Sequence, residues 1–196
     1  QFAAAIEAAK NTGISNLHFD AGDIYALPYP DASFDVVFAS AVLGSVSTPQ
    51  KVLTEMARVL KPGGIMALKE FDHGGDIICP KSPVIQKSTE LYHRLRTHND
   101  HAADCGRQLR KFLHDANCEV DYLRAFYDQK NEPGDLRTHI DRNNYLINEI
   151  LGPQYVAEGW CTEADLKIQA AEWVEFADNP AAIYLASWFE AVGIKR

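Results

Sequence analysis

What this chain lacks narrows it first. No apolar run approaches the length a membrane-spanning helix needs, so no such span is predicted. Surplus positive charge is missing too: 19 Lys and Arg against 27 Asp and Glu leave a net charge of -8. That balance argues against a general binder of nucleic acid or of an anionic membrane surface, which would repel it. Lysines and arginines are scattered, and the densest group, Arg107 to Lys111, reads as the solvated face of a helix. The four cysteines, Cys79, Cys105, Cys118 and Cys161, form no CxxC pair, which fits free thiols in a reducing compartment. Nothing near Gln1 has the pattern of a secretory signal, and the expected location is the cytoplasm. Internal repeats, low-complexity tracts and interdomain linkers are absent. With 196 residues, 46% hydrophobic and 23% charged, the chain is long and apolar enough for one globular α/β domain with a sizeable core.

What is present is organised around Leu17 to Phe71. Leu17–Ala21 is a short apolar-rich run ending at Gly22-Asp23. Asp35–Ala39 is an unbroken run after a turn of Pro, Asp and Ser, and Ile65–Leu68 is another after Pro62-Gly63-Gly64. Such runs fit strands buried on both faces. Between the last two, Val52, Leu53, Met56, Val59 and Leu60 recur at helical spacing. Pro49 suits the first turn of that helix, and Lys61-Pro62-Gly63-Gly64 stops it. Strand, helix and strand in so short a space predict a right-handed βαβ crossover with parallel strands.

The phrases GDIYALPYPDASFDVV and LTEMARVLKPGGIMALKEF, in this order and spacing, resemble the second half of the catalytic domain of class I S-adenosylmethionine-dependent methyltransferases. The similarity is greatest to the ubiquinone/menaquinone-biosynthesis C-methyltransferase group and its small-molecule relatives. It implies a Rossmann-like α/β sheet with a helical C-terminal lid and a closing antiparallel strand. It also implies S-adenosylmethionine as cofactor, S-adenosylhomocysteine as product, and methylation of a small organic acceptor at oxygen, carbon or nitrogen. A small-molecule acceptor is then the expected partner, with no nucleic acid and no membrane, and a homodimer stays open. The alternative is a protein that keeps the fold without methylating, such as a cyclase, a regulatory partner or a dimerisation module.

In that family the alanine-rich helix of Gln1–Lys10, closed here by Asn11-Thr12-Gly13, follows two strands and a glycine-rich turn. These 196 residues hold neither, so the expectation is a single domain over 1–196 lacking its N-terminal part. Segments 81–116 and 132–179 are then the helical lid and substrate wall.

The resemblance also assigns site residues. Gly22 and Asp23 would end a strand, Asp23 accepting from the adenine amino group and the Ile24 N–H donating to the ring; a bare turn or helix cap is the competing reading. Ser40 and Ala41 open a loop whose carbonyls would meet the ammonium of the methionine part. Relatives often carry His where this chain has Gly44 or Ser45.

His73, in the loop Asp72–Asp76 after the third run, could take a proton from a substrate hydroxyl or carbon acid, or be a plain loop histidine. Asp35 opens its strand at the wrong edge for chemistry, and Lys61–Gly64 lacks the spacing and the Ser/Thr of a phosphate loop. His98 and His101, with Asp104 nearby, would share one helical face. No third ligand has a compelling spacing, and no metal is expected. Tyr92, Tyr155 and Trp160 could line a pocket or fill the core.

Further on, Ser88–Thr97 and Gly106–Ala116 read as helices and Cys118–Tyr127 as a strand. Glu132–Asn179 reads as largely helical, and Ile183–Val192 as an antiparallel edge strand.

Overall fold

The computed structural model describes residues 2–12, 14, 16–130 and 133–196. At its centre is the crossover. Strand β1 (Phe34–Ser40) lies parallel to β2 (Leu60–Phe71), and helix α2 (Pro49–Val59) joins them. Thr48 stands at the N-cap position and Pro49 occupies the first turn, where a missing N–H costs nothing. The apolar stripe of Val52, Leu53, Met56 and Val59 is buried.

The Lys61–Gly64 turn does more than stop the helix. Leu60 already pairs with Phe34, and pairing resumes between Ile65 and Val36, so the intervening residues bulge out of the ladder. Gly63 turns the bulge at φ +74, a conformation that favours glycine. Asp35 is tied there by an ion pair with Lys61 at 2.7 Å, a stabilising role as its position implies.

Two strand expectations differ from the structure. Leu17–Ala21 has no ladder; among the described residues the segment up to Ala26 holds only an isolated bridge between Asp23 and Ala26. An extended run with no strand beside it has nowhere to place its backbone hydrogen bonds as a sheet. The last strand, β5 (Ile183–Lys195), is antiparallel as expected but is no edge. It pairs on one side with β2 and, further along, with β3 (Ile77–Cys79), and on the other side with β4 (Cys118–Gln129). Its burial pattern carries the reason: Tyr184, Ala186, Ser187 and Ala191 are buried, which suits an interior strand.

One face of the sheet is covered by α2 and by α4 (Leu109–Asp115), which follows a short 3-10 turn at Gly106–Gln108. Leu53, Met56, Leu109 and Leu113 pack there on Met66, Leu68 and Ala191. The opposite face is not buried as expected of these runs, because among the described residues no helix covers Val36 and Phe38 of β1 or Ile65 of β2. Val36, Ile65 and Ile194 form one cross-strand row and all are exposed.

Helix α1 (Phe2–Asn11) opens the described chain; the expected helix start at Gln1 and stop at Gly13 lie outside the described residues. Beyond the carboxyl ends of β1 and β2 lies the helical part. It comprises α3 (Pro83–His98), α5 (Pro133–Tyr145), a π turn over Leu146–Leu151, α6 (Gly152–Ala157) and α7 (Glu163–Asp178). The expected start of this stretch at Glu132 is outside the described residues. Ile85, Ile140, Trp173 and Tyr184 make one core among these helices and β5, and Leu91, Leu95, Tyr155 and Leu166 make another. The Ser82 hydroxyl caps α3 by accepting from the Ile85 N–H, and Thr162 and Asp165 form a reciprocal capping box on α7.

Nothing lies within 4 Å of where a Cβ on Gly63 would stand, so a side chain there meets backbone strain alone. Gly63→Ala is expected to destabilise the protein by about 1–2 kcal/mol, read from the midpoint of urea unfolding.

Candidate functional site

The parallel strands end side by side, with Ser40 opposite Lys69, and in open α/β sheets ligands sit at this carboxyl edge. Ala41 turns away at φ +55, its N–H donating to the Lys69 carbonyl at 2.9 Å. The loop is then captured from below. Glu70 Oε1 accepts from the N–H groups of both Val42 and Leu43, at 2.7 Å each. Glu70 is fully buried, and its Oε2 has no partner among the described residues. Burial pushes its carboxyl above the usual range, while the Leu43, Val42 and Gly44 amides and the Arg96 charge pull the other way.

Arg96 reaches in from α3. Its Nη2 donates to the carbonyls of Gly44 and, at 3.2 Å, Ala102, and the guanidinium lies over the Phe71 ring at 4.9 Å. A Cβ on Gly44 would stand 2.6 Å from the Phe71 ring. This accounts for the absence of His at that position: Phe71 fills the space a side chain would need.

After Phe71, the 3-10 turn His73–Gly75 sets His73 Nδ1 2.9 Å from Asp76 Oδ2. The imidazole stacks on Phe71 at 4.8 Å and meets the Tyr92 ring edge-on at 5.2 Å. Asp76 is held in turn by the Ser187 N–H at 2.7 Å and the Tyr184 hydroxyl at 3.3 Å. Beside it, buried Asp72 accepts from Arg107 through the backbone N–H at 2.8 Å and through the guanidinium. Arg107 therefore does more than solvate a helix face. Asp104 Oδ1 accepts from the Gly74 N–H at 2.7 Å, which fixes the turn from the other side.

Gly22, Asp23 and Ile24 sit on a separate turn. Asp23 is exposed and its Oδ1 accepts from the Tyr25 N–H at 2.9 Å, while Ile24 packs against the same core cluster as Leu43. Arg58, from the Arg-Val-Leu-Lys-Pro-Gly-Gly phrase, staples the following segment to α2. It donates to the carbonyls of Leu27 and Tyr29 and pairs with Asp31 and Glu55.

The structure thus brings Ser40, Ala41 and His73 to one sheet edge. Of the aromatic candidates, Tyr92 stands beside His73. Tyr155 is buried in the α3–α6–α7 core, and Trp160 packs half-buried against that core, under Arg94 at 4.3 Å. His98 and His101 do not share a helical face as expected. Helix α3 ends at His98 and Asp100 turns left-handed at φ +54. His98 instead lies 3.7 Å from Glu158, and burial together with Arg96 lowers the His101 imidazole below its ordinary range.

Sequence reasoning missed Glu70, Arg96 and Asp76. For Glu70 a signal existed: strand alternation from Met66 and Leu68 puts it on the same, buried, side.

Comparison with known proteins places this geometry in a family. The model of the methyltransferase domain family matches residues 2–135, so the chain belongs to that family, of the class I, S-adenosylmethionine-dependent kind. An uncharacterized methyltransferase of Schizosaccharomyces pombe is 36% identical over 119 residues, 61% of this chain and 42% of that protein. The demethylmenaquinone methyltransferase of Renibacterium salmoninarum is 50% identical over 58 residues, 30% of this chain and 24% of that one. This chain therefore spans less than half the length of these relatives. Among solved structures, a candidate methyltransferase from Bacillus halodurans C-125 shares the fold with a TM-score of 0.60. It is 17% identical, over 97% of this chain and 77% of that one.

Because its carboxyl is shifted upward on folding, Glu70 contributes stability below the ordinary glutamate value of 4.5 and loses it as pH rises through the raised value. Glu70→Gln keeps an acceptor for Val42 and Leu43 but cannot ionise. Its melting temperature relative to wild type is expected to climb as pH rises above the ordinary glutamate value; a parallel pair of curves would reject the assignment.

Proposed function

We propose that this chain contributes the acceptor side and part of the donor side of an enzyme that transfers the methyl group of S-adenosylmethionine to a small organic acceptor. The observation that carries this reading is the pinned carboxyl edge, Ser40–Ser45 over Glu70, within a chain of the methyltransferase family. The residues present fit the nucleoside. Asp23 offers an exposed carboxylate whose Oδ2 has no protein partner among the described residues, next to half-buried Ile24. Such an acid accepts from an exocyclic amine, and the Ile24 N–H beside it can donate to a ring nitrogen. Gly22 shapes that turn, and the exposed backbone at Ser40 and Ala41 can meet an ammonium group.

The donor supplies an electrophilic methyl on a sulfonium. What remains for the chain is to align the acceptor and exclude water, which together contribute most to the rate of such a transfer. His73 is the residue best placed to take a proton, and the helices of 81–116 and 132–179 form the wall behind it, with Tyr92 and Arg96 reaching the edge from α3. The net charge of -8 suits a small acceptor better than a phosphate backbone. Among the described residues no helix is long and apolar enough to cross a membrane, and a cytoplasmic setting fits the free cysteines.

The test is calorimetric titration of S-adenosylmethionine and S-adenosylhomocysteine into this chain and into one extended upstream along its reading frame. Binding by the extended chain is expected, and Asp23→Ala should weaken it about tenfold to a hundredfold, as for a lost buried hydrogen bond to a charged group. Unchanged affinity removes Asp23 from the site; absence of binding in both chains overturns the proposed activity.

A further inference from the structure

We propose that Asp76 is a positioning residue that holds His73 as its Nδ1–H tautomer, so that Nε2 is the nitrogen available to take a proton from the acceptor. The catalytic meaning of this rests on the methyl-transfer reading above; the geometry does not.

Four features of the turn converge on it. A carboxylate can only accept, so at 2.9 Å from Asp76 Oδ2 the Nδ1 of His73 must be the donor. Asp76 cannot swing away from this duty, because both of its oxygens are engaged from β5. Oδ1 takes the Ser187 N–H at 2.7 Å and Oδ2 the Tyr184 hydroxyl at 3.3 Å. The imidazole plane is set by Phe71 on its face and Tyr92 at its edge. The backbone is closed at both ends, His73 N–H to the Ala103 carbonyl at 3.1 Å and Asp76 N–H to the His73 carbonyl at 3.3 Å.

Nε2 has no hydrogen-bond partner among the described residues, and the His73 side chain is 26% exposed against 9% for Asp76. An open imidazole nitrogen backed by a sheltered carboxylate is the arrangement of a general base and its orienting partner.

The proton step balances within these groups. The acceptor's O–H or N–H bond breaks, the proton goes to Nε2, and the electron pair stays on the acceptor atom as its nucleophile. His73 becomes an imidazolium whose Nδ1–H faces the Asp76 carboxylate, an opposite charge that stabilises it. If Asp76 served only to tie the turn to β5, the Ser187 and Tyr184 bonds would be its whole role, and the shorter of them, from Ser187, asks only for an acceptor oxygen.

Asp76→Asn separates these roles, since its amide oxygen can still accept from Ser187. The readout is the tautomer of His73 by long-range 15N–1H NMR of the 196-residue chain, at a pH where the ring is neutral. The wild type is expected to carry hydrogen on Nδ1 and none on Nε2. In Asp76→Asn the Nε2–H form should rise severalfold, and carbethoxylation of His73 by diethyl pyrocarbonate, followed by peptide mass spectrometry, should slow in step. A wild-type spectrum with hydrogen on Nε2, or a tautomer that Asp76→Asn leaves unmoved, overturns the proposal. Should the variant not fold, the wild-type spectrum decides alone. None of these readouts needs a nucleoside, so failure of the methyl-transfer reading shows separately, in the calorimetry. Where the extended enzyme turns over, Asp76→Asn should lower kcat about a hundredfold with donor affinity unchanged.

Discussion

A carboxylate with no solvent contact is costly unless its oxygens are hydrogen-bonded, and Glu70 meets half of that demand, its Oε1 accepting from the two amides of the loop after β1 while Oε2 has no partner among the described residues. The rest of the site hangs from this bond. With Val42 and Leu43 fixed, the Gly44 carbonyl is presented to Arg96 and to the Ala102 N–H, which brings α3 and the loop after it onto the sheet edge. That loop supplies Asp104 to Gly74 and the Ala103 carbonyl to His73. The His73 turn in turn reaches β5 through Asp76. The loop after β1 and the proposed base are thus parts of one hydrogen-bonded assembly, even though Ser40 and His73 follow different strands.

The crossover was legible because it is local. Val52, Leu53, Met56 and Val59 mark α2 by spacing, and Pro49 and the Lys61–Gly64 turn bound it within a few residues of the strands on either side. The interior place of β5 was not, since it depends on β3 and β4 being positioned against it by segments far away in the chain. Leu17–Ala21 reads as a strand by composition, yet a strand exists only with a neighbour, and composition does not reveal one.

The site divided along the same line. His73, Ser40 and Ala41 were placed because each follows a strand recognisable in the sequence. Arg96 lies on a helix among polar residues and looks like any solvated arginine; only its contact with Gly44, far off in sequence, gives it away. Asp76 is similarly silent, because its meaning comes from Tyr184 and Ser187 on the last strand. Residues whose partners are distant in sequence are the ones that one-dimensional reading misses.

The position of β5 also bears on how the molecule is made. Because Ile183–Lys195 separates β2 from β4, the sheet is divided until this segment is available. During synthesis the β1–α2–β2 unit can form early from local contacts. The β4 edge, though, has no ladder to join until the strand that bridges it to β2 has left the ribosome. Insertion of β5 between β2 and β4 is a long-range pairing whose loop-closure entropy must be met before its contacts form, and until then Met66, Leu68 and the Glu70 carboxylate stand at an unfinished edge.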